Sequence, residues 1–190
     1  AIVGENGAGK STFVKLLMRL YDVTEGKISY GDIDIREFTT KEYRHRIATV
    51  FQDYQMYGGK VAENVLMGTC KTKEDEKKVL YALKLADFED RLEKMPEGIY
   101  TELTREFSEH GTTLSGGQAQ KVAIARLFAR KIPFQLAILD EPSSALDPVA
   151  EYKLNQNMME NAGEAAVIFI SHRLSTTRKA DRIYLFENGE

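Results

Sequence analysis

The stretch that most constrains the fold lies at residues 4–12 and reads GENGAGKST. It fits the pattern of a glycine, any four residues, a glycine, a lysine, and then a serine or threonine. Such a loop works between a buried strand and a helix, because its backbone N–H groups and the helix N-terminus together face a phosphate. Apolar Ile2 and Val3 precede the loop, and a helical apolar pattern follows from Ser11 to Tyr21. The sequence therefore predicts an α/β protein that binds a nucleoside triphosphate.

The polar groups of this loop have distinct predicted functions. Lys10 can reach the β- and γ-phosphates as a point charge, and the Ser11 hydroxyl can ligate Mg²⁺. The alternative is a chance glycine-rich turn, and the strand before it and the helix after it argue against that. The predicted nucleotide-binding residues of the loop are Gly4, Glu5, Asn6, Gly7, Ala8, Gly9, Lys10, Ser11 and Thr12.

A second part of a magnesium site is predicted in the stretch LAILDE at residues 136–141. Its apolar run is typical of a strand buried on both faces of a parallel sheet. Asp140, at the end of that strand, can hold Mg²⁺ through a water molecule. Glu141 can orient or deprotonate an attacking water, although a plain strand-end acid is the alternative. Together the two motifs predict hydrolysis of a nucleoside triphosphate, without indicating what the hydrolysis drives.

Composition excludes several other classes of protein. The formal net charge is -3, so no nucleic-acid partner is expected from bulk electrostatics. The single cysteine, Cys70, cannot form an intrachain disulfide and has no base near it in the sequence that would indicate a nucleophile. No apolar run approaches the ~20 residues that span a bilayer.

The stretch LSGGQ at residues 114–118 lies between these two motifs, and SSALD and ISHR follow at 143–147 and 170–173. With these motifs, the chain resembles the nucleotide-binding domain of ATP-binding cassette (ABC) proteins over essentially its whole length. The resemblance implies a P-loop NTPase (RecA-like) core with a mostly parallel sheet, a small antiparallel β part and an inserted α-helical subdomain. The core is expected at 1–53 and 132–190, and the helical subdomain at 54–131.

The resemblance also implies roles for individual residues. Gln52 matches the glutamine that contacts Mg²⁺ and the attacking water and senses the transmembrane partner. His172 matches the histidine that reaches the γ-phosphate and orients the water with Glu141. The implied catalytic residues are thus Glu141, His172 and Gln52, the implied Mg²⁺ ligands are Ser11, Gln52 and Asp140, and the implied cofactors are ATP and Mg²⁺.

A second set of residues is implied to act on the ATP of another subunit. Ser115, Gly116, Gly117 and Gln118 match the signature motif, and Asp147 matches the residue that communicates across the dimer. A serine hydroxyl and glycine amides at a helix N-terminus would also form an anion site on physical grounds alone. The implied partner is a second ABC ATPase domain, identical or not.

The stretch QDYQMYGGKVAENVLMG at residues 52–68 resembles the corresponding region of exporter-type cassettes. The residues that match are Asp53, Tyr57, Gly59, Val61, Glu63 and Asn64, and Lys60 stands where a threonine is usual. In the loop before LSGGQ, Glu109 and Gly111 match the exporter pattern, whereas Phe107 and Ser108 replace its valine and glycine. The resemblance therefore implies ATP-driven export, at the cytoplasmic face of the cell membrane, by a module paired with a transmembrane domain.

Several alternatives stay open from the sequence. A soluble ABC ATPase of DNA repair or translation usually carries large insertions or tandem cassettes, and a regulatory module without turnover would lack Glu141 or His172. We expect the chain to be shortened at both ends, with the adenine-stacking residue upstream, and the isolated fragment to be weakly active. The transported substrate and the choice between homodimer and heterodimer are not predicted.

Overall fold

The computed structural model describes residues 1–104, 111–130, 134–171 and 177–189. The chain divides into two compact units. The first comprises Ala1–Thr49, Ile132–Glu141 and Ala162–Glu190, and the second comprises Val50–Lys131 and Pro142–Asn161. This division differs from the expected core and helical subdomain at residues 50–53 and 142–161, which fall in the second unit.

The first unit is organised around a five-stranded sheet formed by the described residues, in the order β4-β5-β6-β1-β7. Its strands are β1 (Ile2–Gly4), β4 (Ile47–Val50), β5 (Leu136–Asp140), β6 (Ala166–Ile170) and β7 (Tyr184–Phe186). β1 pairs in parallel with β6 and β7, and β5 pairs in parallel with β6. Ala137, Ile138 and Leu139 of β5 are at most 1% exposed, which explains the continuous apolar run. The predicted mixed α/β fold with a mostly parallel sheet is confirmed.

A small antiparallel part precedes β4, as predicted. β2 (Ser29–Tyr30) and β3 (Ile33–Asp34) pair antiparallel around the turn at Gly31 and Asp32. A 3₁₀ turn (Ile35–Glu37) and helix α2 (Thr40–His45) follow. The Thr39 hydroxyl accepts from the Glu42 N–H, and the Glu42 carboxylate accepts from the Thr39 N–H. This capping box makes Thr39 the N-cap of α2.

The helix after the phosphate loop is shorter than predicted. α1 spans Lys10–Leu17 and does not continue to Tyr21. Arg19 has a left-handed backbone, with φ 53°, which ends the helix. The Arg19 guanidinium donates to the carbonyls of Ile35 and Phe38, at 3.1 and 2.6 Å, and these bonds fix the chain where it leaves the helix.

The second unit is helical in its described part. Its helices are α3 (Val61–Leu66), α4 (Lys73–Leu85), α5 (Glu89–Leu92), a 3₁₀ turn (Gly98–Tyr100), α6 (Gly116–Phe128) and α7 (Pro148–Asn161). α4 packs on α6, and α3 packs on both. In α4, the apolar residues Val79, Leu80, Leu83 and Leu85 lie on a stripe at helical spacing, which favours their burial. Val79 and Leu83 are buried, but Leu80 is 47% exposed, and Ala82 takes its place against the core. Among the described helices, none has the length and apolarity that a bilayer crossing requires.

Candidate functional site

The phosphate-binding loop joins β1 directly to α1, within the first unit. Gly4 ends β1 with φ 152°, and a Cβ there would overlap the carbonyl oxygen of Phe186 in the neighbouring β7. Gly9 is the N-cap of α1 in the left-handed region, with φ 97°. Both positions require glycine, one because of a close backbone approach and the other because of its dihedral angle. The loop therefore begins and ends in backbone conformations that require glycine at positions 4 and 9.

The Lys10 side chain folds back onto the loop that precedes it. Its ammonium group donates to the carbonyl of Gly4 at 2.6 Å and to that of Glu5 at 2.8 Å. Lys10 is only 8% exposed, although it carries a charge. Since both acceptors are neutral, the structure holds a buried cation at the start of the loop, where an anion would be attracted.

The predicted metal and catalytic carboxylates lie at the same edge of the sheet as the loop. Ile170, the last residue of β6, is in register with Asp140 on one side and with Ile2 on the other. In parallel strands the carboxyl ends meet at one edge, which is where ligands bind in open α/β sheets. The end of β5 is thus level with Ile2, two residues before the phosphate loop, across the single strand β6.

Glu141 has an unusual backbone at this edge. Its φ is 46°, in the left-handed region, and its N–H donates to the Ile170 carbonyl at 2.9 Å. Strained non-glycine residues of this kind cluster at functional sites. On the other side of β6, the Ser171 N–H donates to the Ile2 carbonyl at 3.3 Å. His172, the next residue, lies outside the described residues.

A cavity of about 400 Å³ adjoins the phosphate loop in the first unit. One wall is formed by residues 5–8 of the loop, and the other by residues 185–188, which include the end of β7. The Gly189 N–H donates to the Ala8 carbonyl at 3.1 Å and thereby links the two segments that form these walls. The volume lies within the usual range for small-molecule pockets, so there is room beside the loop for a ligand.

The signature residues begin a long helix in the second unit. Ser115 is the N-cap of α6, and its hydroxyl accepts from the Gln118 N–H while the Gln118 side chain accepts from the Ser115 N–H. Gly116 and Gly117 form the first turn. Ser115 and Gly116 are exposed, so the positive end of the helix faces solvent.

Residues 51–60, which we call the Q-loop segment, follow β4 as an irregular stretch. The apolar run before Gln52 favours a strand that ends at Gln52, but β4 ends at Val50, and Gln52 lies exposed in a turn. Further along, the Asn64 side chain accepts from the Tyr57 N–H at 2.9 Å and donates to the Tyr57 carbonyl at 3.0 Å. The Glu63 carboxylate accepts from the Lys60 N–H at 3.0 Å. These bonds are a physical reason for the glutamate–asparagine pair in the exporter-like pattern.

Arg126 of α6 holds the same segment from the other side. Its guanidinium donates to the carbonyls of Asn64 and Gln55, at 2.9 and 2.7 Å, and lies 5.5 Å from the ring centre of Tyr57. Burial lowers the pKa of Arg126. Among the described residues, every acceptor of its hydrogen bonds is neutral. The signature helix is thereby tied to the Q-loop segment.

Asp147 lies at the start of α7 and accepts from two backbone N–H groups, those of Val149 at 2.9 Å and Ala150 at 3.0 Å. The hydrogen bonds from Ala150 and Val149 hold the pKa of Asp147 below its usual value. Asp147 is therefore an exposed helix cap. Its predicted role across a dimer would be additional to this local one.

Sequence reasoning missed two residues that organise the second unit, Gln120 and Arg126. Gln120 is 0% exposed, and its side chain bonds to residues 144 and 145. Both residues lie in α6, whose neighbouring apolar side chains, among them Ala119 and Val122, are buried. A polar residue at the spacing of a buried face is the signal that could have indicated them.

Residues 1–144 match the family model described as ABC transporter. The chain belongs to the ABC transporter family. This confirms the resemblance carried by the sequence motifs.

Two curated relatives and one solved structure show how far the similarity extends. The chain is 37% identical over 189 residues to Bacillus subtilis YgaD, whose name describes an ATP-binding/permease protein of multidrug export. It is 38% identical to a protein of the same description from Staphylococcus aureus (strain NCTC 8325 / PS 47). In both cases the match covers all of this chain and 31% of the relative. A bacterial Atm1-family ABC exporter with ATP bound superposes with a TM-score of 0.86 and 34% identity, over 99% of this chain and 32% of that one.

Proposed function

We propose that this chain binds and hydrolyses ATP and thereby drives export across a membrane. The observation that carries the proposal is the shared sheet edge, where Ile170 lies between Asp140 at the end of β5 and Ile2, two residues before the phosphate loop. Family membership and relatives named for export give the chemistry its context. The chain spans about a third of those relatives' length, so the transport step concerns the full protein that its gene encodes.

The residues of the first unit fit a triphosphate with its metal. Lys10 would exchange the Gly4 and Glu5 carbonyls for β- and γ-phosphate oxygens, which are better acceptors because they are charged. Ser11 and Asp140 offer a hydroxyl and a carboxylate, the oxygen donors that Mg²⁺ prefers. Gln52 belongs to the second unit, and its role as a further ligand is proposed from the family resemblance alone. When bound, Mg²⁺ would neutralise charge that develops on the phosphates.

Glu141 would orient the attacking water and accept its proton, which requires its carboxylate to be ionised. His172 would orient the same water and contact the γ-phosphate. The strained backbone of Glu141 supports a positioned role, because a left-handed glutamate is retained only where its surroundings impose it.

Glu141→Gln in the full protein tests this assignment. We expect ATP to bind with near-normal affinity, turnover to be nearly abolished, and an ATP-bound dimer to accumulate, because the phosphate ligands are kept while the base is lost. Glu164→Gln is the matched control: Glu164 is an exposed carboxylate in the same unit, just before β6, and its loss should leave turnover unchanged. Near-normal hydrolysis by Glu141→Gln would refute the role of Glu141.

We propose further that Ser115–Gln118 and Asp147 act on ATP bound by a second ABC ATPase domain, and that a transmembrane domain on the same or another chain receives the motion. The exposed N-terminus of α6 supports this, because it offers a second anion site. The phosphate loop of the same chain already provides a site for that chain's own ATP. In this arrangement the module lies at the cytoplasmic face of the membrane. A mixed dimer of Ser115→Ala and Lys10→Ala subunits would retain one complete composite site, whereas neither variant alone would. Absence of such complementation would refute the arrangement.

A further inference from the structure

Gln120 is the only described polar side chain of α6 that is completely buried. Its Oε1 accepts from the Ala145 N–H at 3.0 Å, and its Nε2 donates to the Ser144 hydroxyl at 3.2 Å. Both ends of the amide are therefore used on one segment, residues 143–147, which we call the D-loop. A buried amide with both ends satisfied holds its partner in a defined place, because losing either bond leaves a polar group without a partner.

A second contact joins the same two elements independently. A Cβ on Gly117 would lie 2.7 Å from the Ala145 carbonyl oxygen and 3.7 Å from the Leu146 Cδ2. The helix and the D-loop thus approach each other as closely as backbone allows. Ser143 and Leu146 are also buried, at 3% and 8% exposed, so the D-loop is anchored at several points.

The far end of the D-loop is fixed as well. Asp147 caps α7 through the N–H groups of Val149 and Ala150. The D-loop therefore connects the first turns of two helices, with Gln120 as the side chain that reaches across from α6. Exposed Ser115 and exposed Asp147 lie at the two ends of this connection.

We propose that Gln120 is a positioning residue that makes the signature turn and the D-loop move as one piece. The inference rests on the proposed function, in which Ser115 and Asp147 both face the ATP of a second subunit. Gln120 touches neither nucleotide nor metal in this scheme. Gln120 sets the spacing between Ser115 and Asp147. Its loss lowers ATP hydrolysis at the second subunit's site and leaves ATP binding at the phosphate loop of its own chain intact.

Kinetics of Gln120→Leu in the full protein provide the first test. Leucine keeps approximately the side-chain size and removes both hydrogen bonds. We expect kcat for ATP hydrolysis to fall about tenfold while the KM for ATP stays within about twofold, the pattern of an interaction that serves the transition state. Gln156→Leu is the matched control, because Gln156 is an exposed glutamine in the same unit, and it should match the wild-type protein.

Ser144→Ala covers the case in which Gln120→Leu does not fold. Ser144 is exposed, and alanine removes the hydroxyl that accepts from Gln120 while leaving the Ala145 bond in place. We expect a smaller loss of kcat in the same direction, again at nearly constant KM. Wild-type kcat in every folded variant, or a raised KM with kcat unchanged, would overturn the inference.

Mixed dimers separate failure of this inference from failure of the proposed function. A Gln120→Leu subunit paired with a Lys10→Ala subunit should regain activity to the extent that Ser115→Ala with Lys10→Ala does, because the one complete site then takes its signature and D-loop from the Lys10→Ala chain. If the Ser115→Ala pair regains activity and the Gln120→Leu pair does not, Gln120 acts within its own chain and the inference is wrong, while the proposed arrangement stands. If neither pair regains activity, both are refuted.

Discussion

Gly116 and Gly117 are adjacent in sequence, yet the structure predicts opposite effects when each is replaced by alanine. A Cβ on Gly116 would lie 3.9 Å from the Ala145 Cβ, an ordinary van der Waals contact. A Cβ on Gly117 would lie 2.7 Å from the Ala145 carbonyl oxygen, closer than real Cβ atoms come. The atom it meets is backbone, so the D-loop would have to shift.

The two contributions can be compared in magnitude. Alanine is favoured over glycine within a helix by about 1 kcal/mol, and this gain applies to both positions. Overpacking against a fixed neighbour costs about 1–3 kcal/mol, and this cost applies only to Gly117. The free energy of unfolding of Gly117→Ala should therefore be about 1–3 kcal/mol below that of Gly116→Ala.

Thermal unfolding of the two purified variants, in the full protein and at matched concentration, measures this difference. With about 2–4 °C per kcal/mol for a domain of this size, the midpoint of Gly117→Ala should lie roughly 2–12 °C below that of Gly116→Ala. Equal midpoints, or a higher midpoint for Gly117→Ala, would refute the reasoning, because they would mean that the D-loop yields without cost.

Two further predictions concern the helical unit. Leu83→Ala should lower the free energy of unfolding by about 2–5 kcal/mol, because Leu83 is 0% exposed. Leu80→Ala should change it by no more than about 0.5 kcal/mol, because Leu80 is 47% exposed. Similar unfolding midpoints in denaturant for the two variants would contradict the assigned core. The Asp87 carboxylate forms ion pairs with Lys121 and Lys153, at 2.7 and 3.1 Å. Burial raises the pKa of Asp87, but the two lysines outweigh burial and hold the pKa below its usual value of 3.8. A lowered folded-state pKa contributes stability that is present above the unfolded value and lost as the pH falls through the folded one. Asp87→Asn should therefore lower the unfolding midpoint at neutral pH, and this effect should begin to decline below about pH 4 and disappear below the folded-state pKa. A deficit that persists unchanged in acid would contradict the ion pairs as its cause.

Much of the fold follows from local sequence pattern. The run of apolar residues before Asp140 predicts a strand buried on both faces because no alternation is needed when neither face meets water. Thr39 or Thr40 predicts a helix start because a threonine hydroxyl can accept from a backbone N–H group of the first turn. The ABC motifs were sufficient to identify the family.

The misplaced details depend on contacts between distant segments. Leu80 and Val79 are both apolar and adjacent, so the periodicity alone could not decide which faces the core, and the small Ala82 was overlooked. The end of α1 depends on Arg19 reaching carbonyls 16 and 19 residues away. Gln120 bonds to a loop 24 and 25 residues further on, and no local pattern encodes such a partner.

The hydrogen bonds from Lys10 to the carbonyls of Gly4 and Glu5 also restrain the conformation of the loop. They close a short stretch of chain, since Lys10 is six positions after Gly4, and so reduce the number of backbone conformations the loop can adopt before any anion arrives. A substitution of Lys10 removes these hydrogen bonds and the positive charge together. Weakened nucleotide binding in such a variant would therefore reflect a less ordered loop as well as a weaker attraction for phosphate. Lys10 thus determines the conformation of the loop as well as its charge.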